Sequence, residues 1–515
     1  MTEFIPKLSP AAPIGIEPIE GFSLADGWQL SNAVTSLSAG YPQTAWTTDR
    51  NAPPCVYDPL IRAEGLVRIR AQIFPEPHSH GGWIFRVHHA GATEELAVPL
   101  PEGSESVIAA LGEFPFTGDG TERVEILPIS PGAMTRIGTL IFDIVNDRGG
   151  LWQTIAVTPG KFRRGLYFEG GDRLVLADTD SEIVHYLLVT GRASGVDETH
   201  FAPEAPLTAE TFAEWIARNV PGYTSARTGT LAGADALAML AGALALTGWS
   251  ARYPALGEPE LAPRGFDASA PMTRLAGAKL LREFVQSFLL SGPPKDRRWE
   301  LSFHDEFDGA ALDFDVWASD ASFPGHIKSS RWPENLLVED GMLKLLTKKE
   351  SRGGAEWTTA STWVKPEVFA QTYGYWECRY RFTAAKGINN SFWMITRGLE
   401  RVKSFEIDVN EGHYPNLIHT NLHSGITGVN VQDSKTTFYD YDLSAEFHTY
   451  GVLWTPTELI YYLDGDEIAR KDAKNAHLPV TPILSTAVLN WAGQITDEAD
   501  GTSMDVDWVR VWREV

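Results

Sequence analysis

The sequence predicts a mainly β protein in which a β-sandwich region at each end of the chain is joined by a short helical connector. From residue 21 to about 200, short apolar runs with visible alternation are broken by turn residues, which is typical of antiparallel strands. From 201 to 297, apolar residues recur at the three- and four-residue spacing of helices, and after 298 the strand pattern returns. We therefore expect an N-terminal tail (1–20), a β-sandwich accessory module (21–200), the helical connector (201–297) and a C-terminal β-sandwich domain (298–515).

The strands of the accessory module are predicted at GLVRIRAQIF, GGWIFRVHHAG, RVEILPI and TLIFDIV. Four histidines, His78, His80, His88 and His89, lie close together in this region. No carboxylate or cysteine completes a recognisable metal-ligand spacing with them, so we expect solvated or packed histidines.

The connector is predicted to be helical because two of its segments carry the necessary signals. LTAETFAEWIARNV begins with a capping threonine, Thr208, and LAGAKLLREFVQSFLL keeps helical spacing. The Ala- and Gly-rich run Leu231–Trp249 contains Asp235, so we expect a buried helix there rather than a membrane span. The run SGPPKD, with Pro293 and Pro294, ends the helical region.

Charge and cysteine content narrow the range of functions. The chain has 67 acidic and 43 basic residues, and its formal charge of -24 repels phosphate backbones, so nucleic acid is not an expected partner. Cys55 and Cys378 fall in different predicted domains, so no disulfide framework is expected. The first residues lack the basic and apolar regions of a signal peptide, which predicts a cytoplasmic chain, or a secreted or periplasmic one if an export signal has been removed.

Candidate catalytic carboxylates are concentrated in SFEIDVNEGHYP, residues 404–415. In a regular strand Glu406 and Asp408 share one face, whereas Glu411 would point to the other. One extra residue, in a β-bulge near Val409 and Asn410, would return Glu411 to the first face. Clustered carboxylates suit acid/base chemistry because each raises the pKa of its neighbours. The spacing alone leaves open a solvated acidic strand edge.

Six segments resemble glycoside hydrolase family 16 in the order in which they occur. EIDVNE is similar to the family signature Glu-x-Asp-x-x-Glu on a bulged strand, and FHDEFDG, NLLVEDGMLKL, YGYWECRYRF, INNSFWMI and VDWVRVW are similar to its other strands. The resemblance covers nearly all of 298–515. It implies a β-jelly-roll with an open cleft across its concave sheet, and an endo-acting, retaining hydrolase of the laminarinase- and agarase-like branch.

The resemblance also implies a role for each carboxylate. Glu406 matches the nucleophile, which would form a covalent glycosyl-enzyme intermediate, and Glu411 matches the acid/base. Asp408 would hold a hydrogen bond to the nucleophile and keep the two pKa values apart. The two catalytic carboxyls should lie about 5–5.5 Å apart, the spacing that gives retention of configuration. This chemistry requires no cofactor.

Polysaccharide substrates need flat apolar faces and hydrogen-bonding groups, so we expect aromatic residues on the concave sheet. Trp393 in INNSFWMI is the best candidate, and the further substrate-binding candidates are Trp332, Asn335, Trp363, His423 and Trp491. For Trp363 and Trp491, packing in the core is an equal alternative. The resemblance also implies a structural calcium site on the convex side, formed by the carbonyls of Glu306 and Gly341 and the side chain of Asp507, and leaves its occupancy open.

Departures from the family pattern bear on the substrate. Asn389 and Asn390 stand where members that cut β-1,3-glucan usually carry Trp-Pro, so one aromatic platform is missing. The bulged signature excludes the unbulged lichenase and xyloglucan branch. We favour a laminarin-like β-1,3-glucan, with a marine galactan (agarose, porphyran or carrageenan) or a bacterial exopolysaccharide as alternatives. A non-catalytic carbohydrate-binding protein is less expected, because both glutamates are present together with Asp408.

The accessory module carries a fainter resemblance. GWQLSNAVTSLSAGYPQTAWTTDRNAPPCVYDP and LGEFPFTGDGTERVEIL are similar to the golvesin C-terminal-like module, a β-sandwich found beside polysaccharide-acting domains. This resemblance implies carbohydrate binding or a purely architectural role. Trp46 and Trp83 are the candidate contacts.

Overall fold

The structure is a computed structural model of the chain. It describes residues 14–16, 22–23, 26–30, 45–57, 64–73, 82–99, 107–119, 121–128, 135–144, 152–155, 171–174, 176–197, 199–263, 265–396, 404–424, 431–438, 442–473, 475–489 and 492–515.

The N-terminal region is an antiparallel β-sandwich, which confirms the prediction. Its strands are β1 (Ile14–Ile16), β2 (Phe22–Ser23), β3 (Gln29–Leu30), β4 (Ala45–Thr47), β5 (Cys55–Tyr57), β6 (Glu64–Ile73), β7 (Trp83–His89), β8 (Ala92–Val98), β9 (Val107–Thr117), β10 (Arg123–Leu127) and β11 (Thr135–Ile144). One sheet contains β3, β4, β11, β6 and β9, and a five-stranded sheet has the order β2-β5-β10-β7-β8. Alternate side chains of β7 are buried, and Phe85 packs with Ile69 and Val124 between the sheets. A separate pair follows, β12 (Trp152–Ile155) with β13 (Gly171–Leu174).

A helical segment separates the two β regions. Its helices are α1 (Glu182–Val189), α2 (Ala209–Asn219), α3 (Gly233–Thr247), α4 (Trp249–Arg252) and α5 (Arg274–Phe284), which continues as a π-helical turn, Val285–Leu289. Thr208 caps α2 as predicted, because its side chain accepts a hydrogen bond from the backbone N–H of Thr211. The first helix lies inside the predicted accessory module, and the domain boundaries stay a prediction. No helix among the described residues is long and apolar enough to cross a membrane.

The C-terminal domain is a β-jelly-roll sandwich. Its strands are β14 (Trp299–Asp305), β15 (Trp317–Ala318), β16 (Ser329–Arg331), β17 (Leu336–Glu339), β18 (Met342–Leu346), β19 (Trp357–Thr359), β20 (Ser361–Val364), β21 (Gly374–Arg381), β22 (Ile388–Ile395), β23 (Phe405–His413), β24 (Leu417–Ser424), β25 (Val431–Phe438), β26 (His448–Trp454), β27 (Glu458–Leu463), β28 (Asp466–Asp472), β29 (Thr481–Val488) and β30 (Ser503–Glu514). Sheet A has the order β15-β20-β29-β22-β23-β24-β25, and the eight-stranded sheet B has the order β17-β18-β30-β21-β26-β27-β28, with β14 beside β30.

The hydrophobic core of this domain lies between sheets A and B. Phe392 and Ile407 from sheet A pack in one cluster with Trp376 and Tyr450 from sheet B. Because side chains alternate along a strand, the residues between these core positions face away from the core, on the outer face of sheet A. The edge strand β25 also pairs with β1, so sheet A is continuous with a sheet of the N-terminal region.

The helical segment packs on sheet B through buried polar contacts. Arg282 on α5 donates to the carbonyl of Phe447 at 2.9 Å and lies 3.6 Å from the carboxylate of Asp464. Beside it, Glu283 pairs with Arg379 at 2.7 Å. Apolar residues of the helices and of the jelly-roll belong to one hydrophobic cluster. The connector is therefore packed against the domain that follows it.

Candidate active site

The three predicted carboxylates lie on β23, and a β-bulge interrupts the pairing of this strand. Asp408 lies opposite Asn421 on β24, whereas Glu411 lies opposite His419, so three steps along β23 match two along β24. The bulge falls between Asp408 and Glu411, where the sequence predicts it. It returns Glu411 to the face of Asp408.

The two residues inside the bulge explain how the extra residue is accommodated. Val409 is 2% exposed and belongs to the hydrophobic core. The next residue, Asn410, is also buried, and its side-chain amide donates to the hydroxyl of Tyr380 on sheet B. Two successive side chains thus face the interior, and the carboxylates on either side share the outer face.

Asp408 lies at the centre of the carboxylate group. It is 4% exposed, and burial, followed by the charge of Glu411, raises its pKa well above the ordinary value of 3.8. A protonated Asp408 can donate a hydrogen bond to a neighbouring carboxylate. One oxygen each of Glu406 and Asp408 and a ring nitrogen of His423 all lie within 4.8 Å of one another.

His423 lies next to the predicted nucleophile. It is directly opposite Glu406 in the β23–β24 pair, and its Nε2 lies 3.3 Å from Oδ2 of Asp408. The structure therefore places this predicted residue at the carboxylate group, on the strand that follows β23.

Glu411 is held by side-chain amides on both sides. Asn389 on β22 donates to its Oε1 at 2.9 Å, and Asn421 on β24 donates to its Oε2 at 2.6 Å. Neither asparagine was predicted as a site residue. Asn421 precedes His423 by two residues in TNLHS, so strand alternation would have placed it on the same face. For Asn389, the sequence indicated only a missing aromatic platform.

Two of the predicted aromatic residues lie in one row across sheet A. Trp393 on β22 is opposite Asp408 on β23 and, on its other side, opposite Ile483 on β29. Ile483 is in turn opposite Trp363 on β20. Both tryptophans are partly exposed, and the indole of Trp393 donates to the hydroxyl of Ser485 at 3.0 Å. This row supplies apolar ring faces beside the carboxylates.

Other predicted sugar contacts have different surroundings. One face of Trp332 is covered by Arg352, whose guanidinium carbon lies 3.5 Å from the ring centroid. Asn335 is 0% exposed and donates to the carbonyl of Leu346 and the hydroxyl of Thr358. Its amide is therefore engaged in local structure rather than presented to a substrate. Trp491 lies outside the described residues.

Two of the three residues predicted to hold calcium, Glu306 and Asp507, have their carboxylates in ion pairs. The carboxylate of Asp507 accepts a hydrogen bond from the buried guanidinium of Arg379, and that of Glu306 accepts from Nε and Nη2 of Arg510, at 2.9 and 2.8 Å. A guanidinium already binds the only side-chain ligand predicted for the ion, and this contact competes with calcium for the Asp507 carboxylate. The site through Glu306, Gly341 and Asp507 stays a prediction that the pairing disfavours.

In the accessory module, Trp83 is 1% exposed and packs in the core, so it is not a surface contact, whereas Trp46 is partly exposed. His88 pairs with Glu125 at 2.9 Å and His89 with Glu94 at 3.0 Å. His78 and His80 lie outside the described residues.

Comparison with known proteins gives a family match in the C-terminal part of the chain. The model of the family "Glycosyl hydrolases family 16" matches residues 327–510. Two endo-1,3-1,4-beta-glycanases of Rhizobium meliloti are similar to this chain. ExsH is 33% identical over 149 residues, which are 28% of this chain. EglC is 31% identical over 183 residues, which are 34% of this chain. The chain spans 31% and 39% of their lengths. A glucan endo-1,3-beta-glucosidase of Cryptopygus antarcticus is 30% identical over 189 residues, which are 32% of this chain and 67% of that protein.

Proposed function

Because the C-terminal domain of this chain belongs to glycosyl hydrolases family 16, we propose that the chain is a retaining, endo-acting glycoside hydrolase of a β-linked polysaccharide. The observation that carries the proposal is the β23 bulge, which brings Glu406, Asp408 and Glu411 to one face beside Trp393. On a solvated acidic strand edge the central carboxylate would be exposed to water, whereas Asp408 is only 4% exposed.

The proposed mechanism is a double displacement with a separate role for each glutamate. In the first step Glu406 attacks the anomeric carbon, while Glu411 donates its proton to the departing glycosidic oxygen. In the second step the Glu411 carboxylate takes a proton from water, and the oxygen of that water displaces Glu406 from the sugar. Each displacement inverts the anomeric carbon, so the product retains the starting configuration.

Asp408 contributes through its protonation state. Burial and the charge of Glu411 raise the pKa of Asp408 well above its ordinary value, which favours the protonated form, and a protonated Asp408 can donate a hydrogen bond to Glu406. That bond orients the nucleophile without adding a third negative charge to the face.

The substrate we propose is a β-glucan that contains 1,3-linkages, alone or alternating with 1,4-linkages. The similarity to endo-1,3-1,4-beta-glycanases and to a glucan endo-1,3-beta-glucosidase supports it. A galactan or a bacterial exopolysaccharide is a second candidate, because Asn389 replaces an aromatic platform and is only 6% exposed. For the accessory module we propose carbohydrate binding or an architectural role, with Trp46 as the partly exposed aromatic residue.

The test is incubation of the full chain with laminarin, curdlan, lichenan, agarose, porphyran, carrageenan and a bacterial exopolysaccharide, followed by mass analysis of the products. We expect oligosaccharides of several lengths from a β-glucan, and none with the Glu406→Gln variant prepared in parallel. Proton NMR of the earliest product should show the β-anomer. Early α-anomer would refute retention, and intact polymers throughout would refute the hydrolase proposal.

A further inference from the structure

We propose that Asn389 is a positioning residue for the acid/base carboxylate of Glu411, and that the buried imidazole of His413 fixes the orientation in which Asn389 acts. The proposal rests on the proposed function, because it concerns the acid/base step. It adds residues that the family resemblance does not assign.

The register of sheet A brings these three side chains together. Ser391 on β22 lies opposite Glu411, and Asn389, two residues earlier on the same face, lies opposite His413. Asn389 and Glu411 are thus diagonal neighbours on adjacent strands, within reach of each other's side chains. The Nδ2 of Asn389 donates to Oε1 of Glu411 at 2.9 Å, and Asn389 is only 6% exposed.

The direction of this contact depends on His413. A side-chain amide turned by half a rotation would place its own oxygen against the carboxylate, which is repulsive. The Nε2 of His413 lies 3.1 Å from Oδ1 of Asn389. Because that oxygen can only accept, Nε2 must carry the imidazole proton, and the chain of donors runs from His413 to Asn389 to Glu411.

His413 is itself held in place by packing. It is 0% exposed, and its ring lies edge-on to that of His419, with 5.3 Å between the centroids. A ring so enclosed cannot turn to offer its other nitrogen without moving its neighbours. The orientation of Asn389 is therefore built into the fold.

Two amide donors hold the carboxylate more firmly than one. Asn421 donates to Oε2 from the opposite strand, and with this contact alone Glu411 could pivot about that oxygen. Asn389 removes the pivot by holding Oε1. Each carboxylate oxygen keeps a second lone pair, so either can still face the glycosidic oxygen. A displacement of about 1 Å at such a group can cost ~10²-fold in rate.

In the resembled family, members that cut β-1,3-glucan usually carry tryptophan at the position of Asn389. In this chain the side chain is short, buried and already bonded to Glu411. The position therefore contributes to holding the acid/base group and offers no ring face to a sugar.

The experiment compares kcat/KM on the cleaved polymer with kcat/KM on an activated aryl glycoside, whose leaving group needs little protonation. This parameter reports the glycosylation step alone, so the second role of Glu411, as the base in deglycosylation, does not enter. For Asn389→Leu we expect kcat/KM to fall about 10- to 100-fold on the polymer and to change less than about threefold on the aryl glycoside. His413→Gln retains an N–H donor for Asn389 and should keep the wild-type ratio of the two rates. His413→Leu should lower that ratio as Asn389→Leu does.

The matched control is the next residue on the same strand. Asn390 is 0% exposed, faces the core and donates to the carbonyl of Gly412 at 3.1 Å. Asn390→Leu should lower Tm and leave the polymer-to-aryl ratio unchanged. If it lowers the ratio as much as Asn389→Leu does, the effect comes from packing and the proposal is wrong.

Further outcomes separate the parts of the proposal. If Asn389→Leu lowers both rates by one factor, Asn389 does not act on the acid step. If His413→Leu keeps the wild-type ratio, the role of His413 is refuted. Should Asn389→Leu fail to fold, the isosteric Asn389→Asp places a second carboxylate against Glu411, so the alkaline limb of its kcat/KM profile should move to higher pH. If the alkaline limb of the Asn389→Asp profile stays at the wild-type pH, the proposal is refuted. If the wild-type chain itself cleaves neither substrate, the proposed function is refuted instead.

Discussion

Replacement of Arg282 by methionine should destabilise the jelly-roll domain, although Arg282 belongs to the helical segment. Arg282 is 3% exposed and Asp464 is 4% exposed, so the arginine is a buried counter-charge for a buried carboxylate. Burial alone would raise the pKa of Asp464, but His448, Arg282 and Gln286 together hold it below its ordinary value.

The expected magnitude follows from the contacts that remain in the variant. Removing one partner of a buried pair typically costs ~3–5 kcal/mol. Asp464 would keep His448 Nδ1 at 2.7 Å and the backbone N–H of Thr449 at 2.9 Å, so we expect the lower end, about 3 kcal/mol. That is roughly a 10²-fold change in the folding equilibrium.

The assay is urea denaturation at pH 7, followed by tryptophan fluorescence. The matched control is Arg513→Met, which removes a pair with Glu300 at 2.7 Å whose side chains are 60% and 57% exposed. Exposed ion pairs contribute little to the free energy of unfolding, so this variant should have the same urea unfolding midpoint as the wild type. If Arg282→Met has the same unfolding midpoint as the control, the helical segment does not stabilise the domain through this contact.

Three further predictions concern the site and the segment behind it. Glu406→Gln should abolish turnover of every substrate. Glu411→Gln should spare glycosylation of an activated aryl glycoside but lower the rate of polymer cleavage ~10²–10⁴-fold, and added azide should restore its turnover with a β-glycosyl azide as product. If azide instead rescues Glu406→Gln to that product, the two roles are reversed. Burial raises the pKa of Glu377 from 4.5 to about 7, so the folded state binds this proton more tightly than the unfolded state does. The free energy of unfolding should therefore fall by roughly 3 kcal/mol as pH rises from 4.5 to 7. Glu377→Gln should remove that fall in urea titrations at several pH values, and an unchanged pH dependence would contradict the assignment. A fragment that begins at Lys295 lacks Arg282 and also lacks the Gly292 N–H that donates to Glu377 at 2.8 Å. Its Tm should therefore lie below that of a fragment that begins at residue 176. Equal Tm values would show that the stability of the domain is independent of the helices.

Short-range patterns in the sequence were sufficient for the mainly β fold class, whereas the jelly-roll and the roles of the carboxylates on β23 were predicted from the resemblance to glycoside hydrolase family 16. Alternation along β7 and the Thr208 cap are local signals, and the structure confirms both. The bulge could be predicted for the same reason. Two glutamates five residues apart can share the face of a strand only if one extra residue lies between them.

What the sequence could not determine depends on contacts between distant segments. The amides of Asn389 and Asn421 reach Glu411 only because β22 and β24 flank β23 in one particular register, which no local pattern encodes. In the same way, Asn335 has the composition of a sugar ligand, yet the fold encloses its amide between Leu346 and Thr358. Strand periodicity decides which residues share a face, but tertiary packing decides which side chains reach one another and which remain open to a substrate.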